Sequence, residues 1–173
     1  MGRKLILLAA LVAMSILLAA AGAGAADKAV AVLKDASGKD VGKAELTNTP
    51  SGVLIRLDLS GIPAGDHAFH VHAVGKCNAP DFKSAGAHFN PDETKHGLMN
   101  GEGPHAGDMP NLHVPESGQL VVEVLDESVT LDAEHALLDE DGSALVIHAG
   151  ADDYRTDPAG NAGDRIACGI VTP

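Results

Sequence analysis

The sequence has no Trp, one Tyr and three Phe, so large aromatic rings cannot build its core. Val, Leu, Ile and Ala must fill it instead, and hydrophobic residues make up 45% of the chain. Basic residues are also few, with 12 Lys and Arg against 24 Asp and Glu. A surface of that sign repels phosphate backbones and anionic lipids, which argues against nucleic-acid and membrane-surface partners. Cysteine is limited to Cys77 and Cys168. Neither stands directly after the N-terminal apolar run, which argues against a lipoprotein anchor. Helix signals are weak beyond that run.

What is present begins with Arg3 and Lys4, an apolar stretch over residues 5–20 broken only by Ser15, and small residues over 21–26. This order predicts a secretory signal peptide over residues 1–25, cut after Ala25, with no membrane anchor left after cleavage. Residues 26–173 then form one domain long enough to bury a substantial core. Its charge is about −14, from 24 acidic and 10 basic residues. The expected location is exported, and periplasmic if the source is a Gram-negative bacterium. Export puts Cys77 and Cys168 where disulfides persist, so they are expected to pair. Such a bridge closes about 90 residues, and chain entropy assigns it on the order of 4–5 kcal/mol.

Strand signals recur through residues 26–173. Val53, Ile55, Leu57 and Leu59 alternate with Leu54, Arg56 and Asp58, the period of a half-buried strand. Further strands are expected over 29–33, 41–46, 67–73, 120–125, 145–148 and 165–171, with a weak one over 129–131. About eight short strands with Gly and Pro turns predict an all-β antiparallel barrel or sandwich. Segments 75–111 and 149–164 lack periodicity. Loops of that length are uncommon and usually functional.

Seven of the nine His lie between His67 and His113. His70 and His72 stand at i and i+2 on an expected strand, so both imidazoles share one face, a natural start for a copper or zinc site. His88, His96, His105 and Asp108 follow in the first long loop at spacings of eight, nine and three. Three imidazoles and a carboxylate satisfy four-coordinate zinc, closed and therefore structural. His148 ends an apolar strand and can join the first pair from a distance. His67 is expected to pack or to support a ligand, and His113 and His135 to be structural or exposed.

Several runs carry a family resemblance. They are His67 to His72, Gly75-Lys76-Cys77, Ser84 to Pro91, Lys95-His96-Gly97, His105 to Asp108, Leu145 to His148 with Ala151-Asp152-Asp153, and Gly160 to Gly169. Together they resemble the copper/zinc superoxide dismutase family, bacterial exported branch, over essentially all of residues 26–173. The resemblance implies a Greek-key β-barrel with two long functional loops, and one copper and one zinc ion per subunit. It implies copper on His70, His72, His88 and His148. It implies zinc on His88, His96, His105 and Asp108, with His88 bridging. Asp152 would link His70 to His96, Arg165 would stand at the open side of copper, and Cys77 would pair with Cys168. Leu98-Met99 stands where the family often has Gly-Pro, and Pro104 where many members have Arg.

The activity implied is conversion of superoxide to dioxygen and hydrogen peroxide, with His88 and Arg165 as catalytic residues, in a monomer or homodimer. Lys76, Lys83, Lys95 and Arg155 are candidates to steer the anion. The competing reading is an exported copper/zinc-binding or buffering protein on the same fold, without turnover.

Overall fold

The structure is a computed structural model that describes residues 26–173. The expected signal peptide falls on residues 1–25 and lies outside the described residues.

Nine strands form among the described residues: β1 (Lys28–Asp35), β2 (Asp40–Thr49), β3 (Gly52–Ser60), β4 (Gly65–His67), β5 (Phe69–His72), β6 (Leu112–Val114), β7 (Gln119–Asp126), β8 (Ala144–His148) and β9 (Arg165–Ile170). Seven form one antiparallel sheet in the order β5-β8-β9-β1-β2-β3-β7, and β4 pairs with β6. Alternation explains the main wall. Ala29, Ala31 and Leu33 of β1 and Val53, Ile55, Leu57 and Leu59 of β3 are buried, and the residues between them face outward or lie half-buried. Registers such as Ala31 opposite Ala44 and Leu46 opposite Ile55 keep the apolar faces together. Gly42 is required where β2 meets β3, because a Cβ there would lie 2.5 Å from Leu59 Cδ2 and 2.7 Å from Asp58 O.

The sheet curls on itself. β4 runs into β5 through Ala68, and β6 lies against β7, so the small ribbon bridges the two edge strands. The chain passes from one edge of the sheet to the other between β3 and β5, between β5 and β7 and between β7 and β8, which gives the Greek-key order. The core is aliphatic, with Phe69, Phe89 and Met109 added. A smaller apolar cluster of Phe82, Ala85, Ala144, Val146 and Cys168 sits apart, with Cys77 packed on it.

Three strand expectations need correction. The strand over 67–73 is broken at Ala68, whose N–H donates to Gly150 O and whose carbonyl accepts from His148 N–H. The chain changes pairing partner there, from β6 to β8. Residues 129–131 form only an isolated bridge between Thr130 and Ala136, although Val129 and Leu131 are buried. β6 was not expected, because three residues are too short to show a period.

Both long loops appear as expected, residues 73–111 and 149–164. The first is more ordered by the chain itself than its composition suggests. It lies along the open edge of β5: Val71 N–H donates to Gly107 O and Phe89 N–H to Val71 O. Gly107 permits this approach, since a Cβ would lie 2.5 Å from Val71 O. The Cys77–Cys168 disulfide ties the same loop to β9.

Candidate metal centre

The fold brings the histidines together through backbone register. β5 and β8 are paired neighbours, so His70 and His72 lie beside the end of β8, where His148 sits. Isolated bridges pair His72 with His88 and His70 with Asp108, pinning the loop residues to β5. A register shift between Ile147 and His148 puts His148 opposite Arg165 on β9. Such bulges re-aim side chains beside functional sites.

Two four-residue groups result. His70, His72, His88 and His148 each offer one ring nitrogen, and these lie within 4.8 Å of one another. His88, His96, His105 and Asp108 form a second group on the same criterion. His88 belongs to both. All seven residues are buried.

The first group is short of partners in a specific way. His70 Nδ1, His72 Nε2, His88 Nε2 and His148 Nε2 are buried without a hydrogen-bond partner. Unpaired buried polar atoms are costly and call for an explanation. The opposite nitrogen of each ring is engaged. His70 Nε2 lies 2.8 Å from Asp152 Oδ2, His72 Nδ1 3.0 Å from Gly86 O and His148 Nδ1 3.2 Å from Gly163 O. These acceptors fix the N–H on the outer nitrogen and leave a lone pair on the inner one. Burial pushes the imidazoles down, to about 4 for His70, about 2 for His72 and about 3 for His148. The rings are therefore neutral and able to bind a metal at neutral pH.

The second group has the dimensions of a tetrahedral site. Asp108 Oδ1 lies 2.9 Å from His88 Nδ1, 3.0 Å from His96 Nδ1 and 3.4 Å from His105 Nδ1. His88 Nδ1 and His105 Nδ1 are 3.4 Å apart. Ligands at about 2.0–2.1 Å from a tetrahedral ion stand about 3.3 Å from each other. Asp108 Oδ2 accepts from the N–H groups of Gly97 and His105, at 2.9 and 3.0 Å, which turns Oδ1 toward the rings. Burial opposes ionisation of Asp108, but the His88 and His96 hydrogen bonds hold its carboxyl well below the usual range. Burial also pulls His96 down, and the Asp108 and Asp152 carboxylates more than offset this, raising it to about 9.

Asp152 links the groups, with Oδ2 on His70 and Oδ1 3.0 Å from His96 Nε2. Asn111 in turn holds Asp152: its Oδ1 accepts the Asp152 N–H at 2.8 Å and its Nδ2 donates to Asp152 O at 2.9 Å. Asn111 N–H donates to the Tyr154 hydroxyl at 2.7 Å. Gly160 leaves room for the contact, since a Cβ would come within 2.8 Å of His96 Nε2 and closer still to Asp152. No role for Asn111, Tyr154, Gly86, Gly163 or Gly160 is legible in the sequence: the amide and the hydroxyl brace backbone groups, two of the glycines act through their carbonyls and the third through empty space.

Arg165 is half-buried beside His72 and His148, whose imidazoles its charge helps to lower after burial and the neighbouring histidines. Its guanidinium donates to Phe82 O at 2.8 Å and Gly86 O at 2.6 Å. With Lys83, Asp81 and Asp164 it lines a surface cavity of mixed charge. Of the other steering candidates, Lys95 lies 3.7 Å from Asp157 and Arg155 turns to Met99. His67 braces two carbonyls, Pro63 O and His148 O. His113 pairs with Asp66 at the surface, and His135 lies 3.4 Å from Asp92.

Known proteins resemble this chain in sequence and fold. The family model for copper/zinc superoxide dismutase matches residues 41–171. Superoxide dismutase [Cu-Zn] 1 of Aquifex aeolicus is 58% identical over 137 residues, 78% of this chain and 81% of that one. The same organism's superoxide dismutase [Cu-Zn] 2 is 52% identical over 95% of this chain and 98% of its own. Among solved structures, a SOD-like protein from Bacillus subtilis has a TM-score of 0.80 at 40% identity, covering 83% of this chain and 97% of that one. The Cu/Zn superoxide dismutase from Brucella abortus has a TM-score of 0.70 at 26% identity, covering 84% and 99%. With its two His-rich groups joined at one imidazole and this match over most of its length, the chain belongs to the copper/zinc superoxide dismutase family.

Proposed function

We propose that the protein dismutates superoxide, with copper held by His70, His72, His88 and His148 and zinc by His88, His96, His105 and Asp108. The observation that carries this is the convergence of four unpartnered ring nitrogens, while His88 offers its other nitrogen to the second group. An all-imidazole group would suit a copper ion, and the three-His, one-Asp group would suit zinc. Copper supplies one-electron chemistry, by which one superoxide is oxidised to dioxygen and a second is reduced to peroxide. Zinc has no redox chemistry.

The chain's own residues do the rest. Arg165 binds the anion: its partners are neutral carbonyls, so its charge is not cancelled by them. The rigid β5 and β8 positions of His70, His72 and His148 keep three nitrogens fixed through the cycle. His88 has a further role. Its Nδ1 stays anchored on the loop side, while Nε2 faces the reacting side and can hold a proton and donate it to departing peroxide. Asp152 fixes the N–H of His70 and His96 outward, which keeps their Nδ1 lone pairs inward.

Export, cleavage after Ala25 and a single domain over 26–173 complete the reading. The basic-then-apolar opening of the sequence and the Cys77–Cys168 bridge support export.

The test is a superoxide assay on protein reconstituted with one copper and one zinc, beside His148→Ala. Activity in the wild type, with a loss of at least about a hundredfold in the variant, is expected. An inactive wild type of full metal content would instead mark a binding or buffering protein.

A further inference from the structure

We infer that Phe82 is a positioning residue for Arg165, holding the guanidinium where it meets the anion. This rests on the proposed role of Arg165 and extends it to a residue outside both histidine groups.

Residues 82–86 supply both partners of the guanidinium. Phe82 O takes Nη1 and Gly86 O takes Nη2. Both carbonyls are shared. Phe82 O also accepts from Ala85 N–H at 3.0 Å, and Gly86 O from His72 Nδ1 at 3.0 Å. One short turn therefore fixes Arg165 and one imidazole of the first group together.

The backbone of this turn is unusual at both ends. Phe82 has φ 51° and ψ 19°, and Gly86 has φ 76° and ψ −157°. Glycine adopts such angles readily. An aromatic residue does not, and a left-handed Phe persists only when its surroundings over-determine it. Here the surroundings do so. The Phe82 ring is fully buried against Ala85, Ala144, Val146 and Cys168, with Cys77 beside them. Ala144 and Val146 belong to β8, which ends in His148, and Cys168 belongs to β9, which begins with Arg165. The ring thus seats the turn on the two strands that carry the residues it serves. Phe82 N–H, donated to Asn78 O at 3.0 Å, fixes the peptide on the other side. Left-handed backbone and buried ring together aim the carbonyl at Nη1. Truncating the ring removes the seat, and the peptide can relax out of the left-handed region and turn its carbonyl away.

The experiment uses the copper- and zinc-loaded, disulfide-intact protein and azide as a small anionic probe. Its dissociation constant is read from the optical titration of the bound copper, with metal content and melting temperature measured in parallel. Phe82→Ala is expected to weaken azide by about 5- to 10-fold at unchanged metal content, since small misplacements of a positioned group are costly. Phe82→Leu, which refills the apolar seat, should recover most of the affinity. Arg165→Ala should weaken azide at least as much, and adding Phe82→Ala to it should change nothing further. Should Phe82→Ala fail to load metal, Phe82→Leu and Phe82→Met are put through the same cycle. Their smaller losses must likewise vanish in the Arg165→Ala background.

Unchanged azide affinity in the Phe82 variants, with a loss in Arg165→Ala, overturns the inference and leaves the role of Arg165 standing. An equal loss from the Phe82 substitution with and without Arg165 also overturns it, because Phe82 would then act by another route. Unchanged affinity in Arg165→Ala refutes the anion-binding role itself, and the inference with it.

Discussion

Replacing Asp152 by Asn removes one charge and converts one acceptor oxygen into an NH2 donor. Asp152 now accepts from His70 Nε2 at 2.8 Å and from His96 Nε2 at 3.0 Å, on different oxygens. An Asn can accept from only one of them. The other imidazole would face an NH2 group and would have to present a lone pair outward. Its proton would then sit on Nδ1, the nitrogen it needs for metal. The conflict must be relieved where the structure can yield. His70 is fully buried on β5, between a paired strand and the packed loop, and cannot turn. His96 and residues 152–160 lie on loops. The Asn oxygen should therefore stay with His70, and the loop side should loosen. Loss of a carboxylate that orients a metal-binding His costs about 10–100-fold in metal affinity, or about 1.4–2.8 kcal/mol. The expected result is a zinc affinity lower by that factor, with copper affinity changed by less than about threefold. Chelator competition for each metal in turn measures both. A zinc affinity within about threefold of wild type, or equal losses for both metals, would refute this reasoning.

Other outcomes follow from the same structure. Asp126 is buried at the end of β7 with Oδ2 unpartnered, and burial pushes its carboxyl up to about 7. A raised folded-state value means the native protein keeps this proton while the unfolded chain releases it. Stability is thus lost as pH rises from about 4 to about 7 and changes little above that. The stability of Asp126→Asn relative to wild type should accordingly climb by about 2–4 kcal/mol between pH 4 and pH 8, measured by urea unfolding of metal-free, disulfide-intact protein. A flat difference would contradict it. Reduction of Cys77–Cys168 together with zinc removal should raise hydrogen exchange in residues 75–111 before the barrel opens, and full protection of that loop would count against the claim. If Arg165 binds the anion as proposed, kcat/KM should fall modestly as salt rises, the effect being small because Lys83 is paired with Asp81 at 3.2 Å and Asp164 lines the same cavity. A rise with salt would mean the net charge dominates.

Imidazoles at i and i+2 and a His-rich loop are chemical signals, but His148 alone at a strand end is a weak one, and the division of the seven residues into two groups sharing His88 was legible only through the family resemblance. The alternation of Val53, Ile55, Leu57 and Leu59 made β3 plain. The supports were not legible. Asn111 holds Asp152 through an amide and backbone groups, Phe82 holds Arg165 through a carbonyl, and Gly160 contributes only the absence of a Cβ. None of these uses a residue type that announces its task. The break at Ala68 was hidden for a related reason. A change of strand partner leaves no trace in hydrophobic period when both partners bury the same face. The order of the first long loop was underestimated because its buried anchors Phe82, Phe89, Ala106 and Met109 are spaced irregularly.

The account depends most on His88 serving both metal groups through its two ring nitrogens. Loading Cu(II) into both groups and recording the electron paramagnetic resonance spectrum tests this directly. A shared imidazole must couple the two ions, so the wild type should lose most of its signal when both groups are filled. His88→Ala, loaded alike, should show two uncoupled ions. A wild-type spectrum that is simply the sum of two independent Cu(II) centres would contradict the shared ligand.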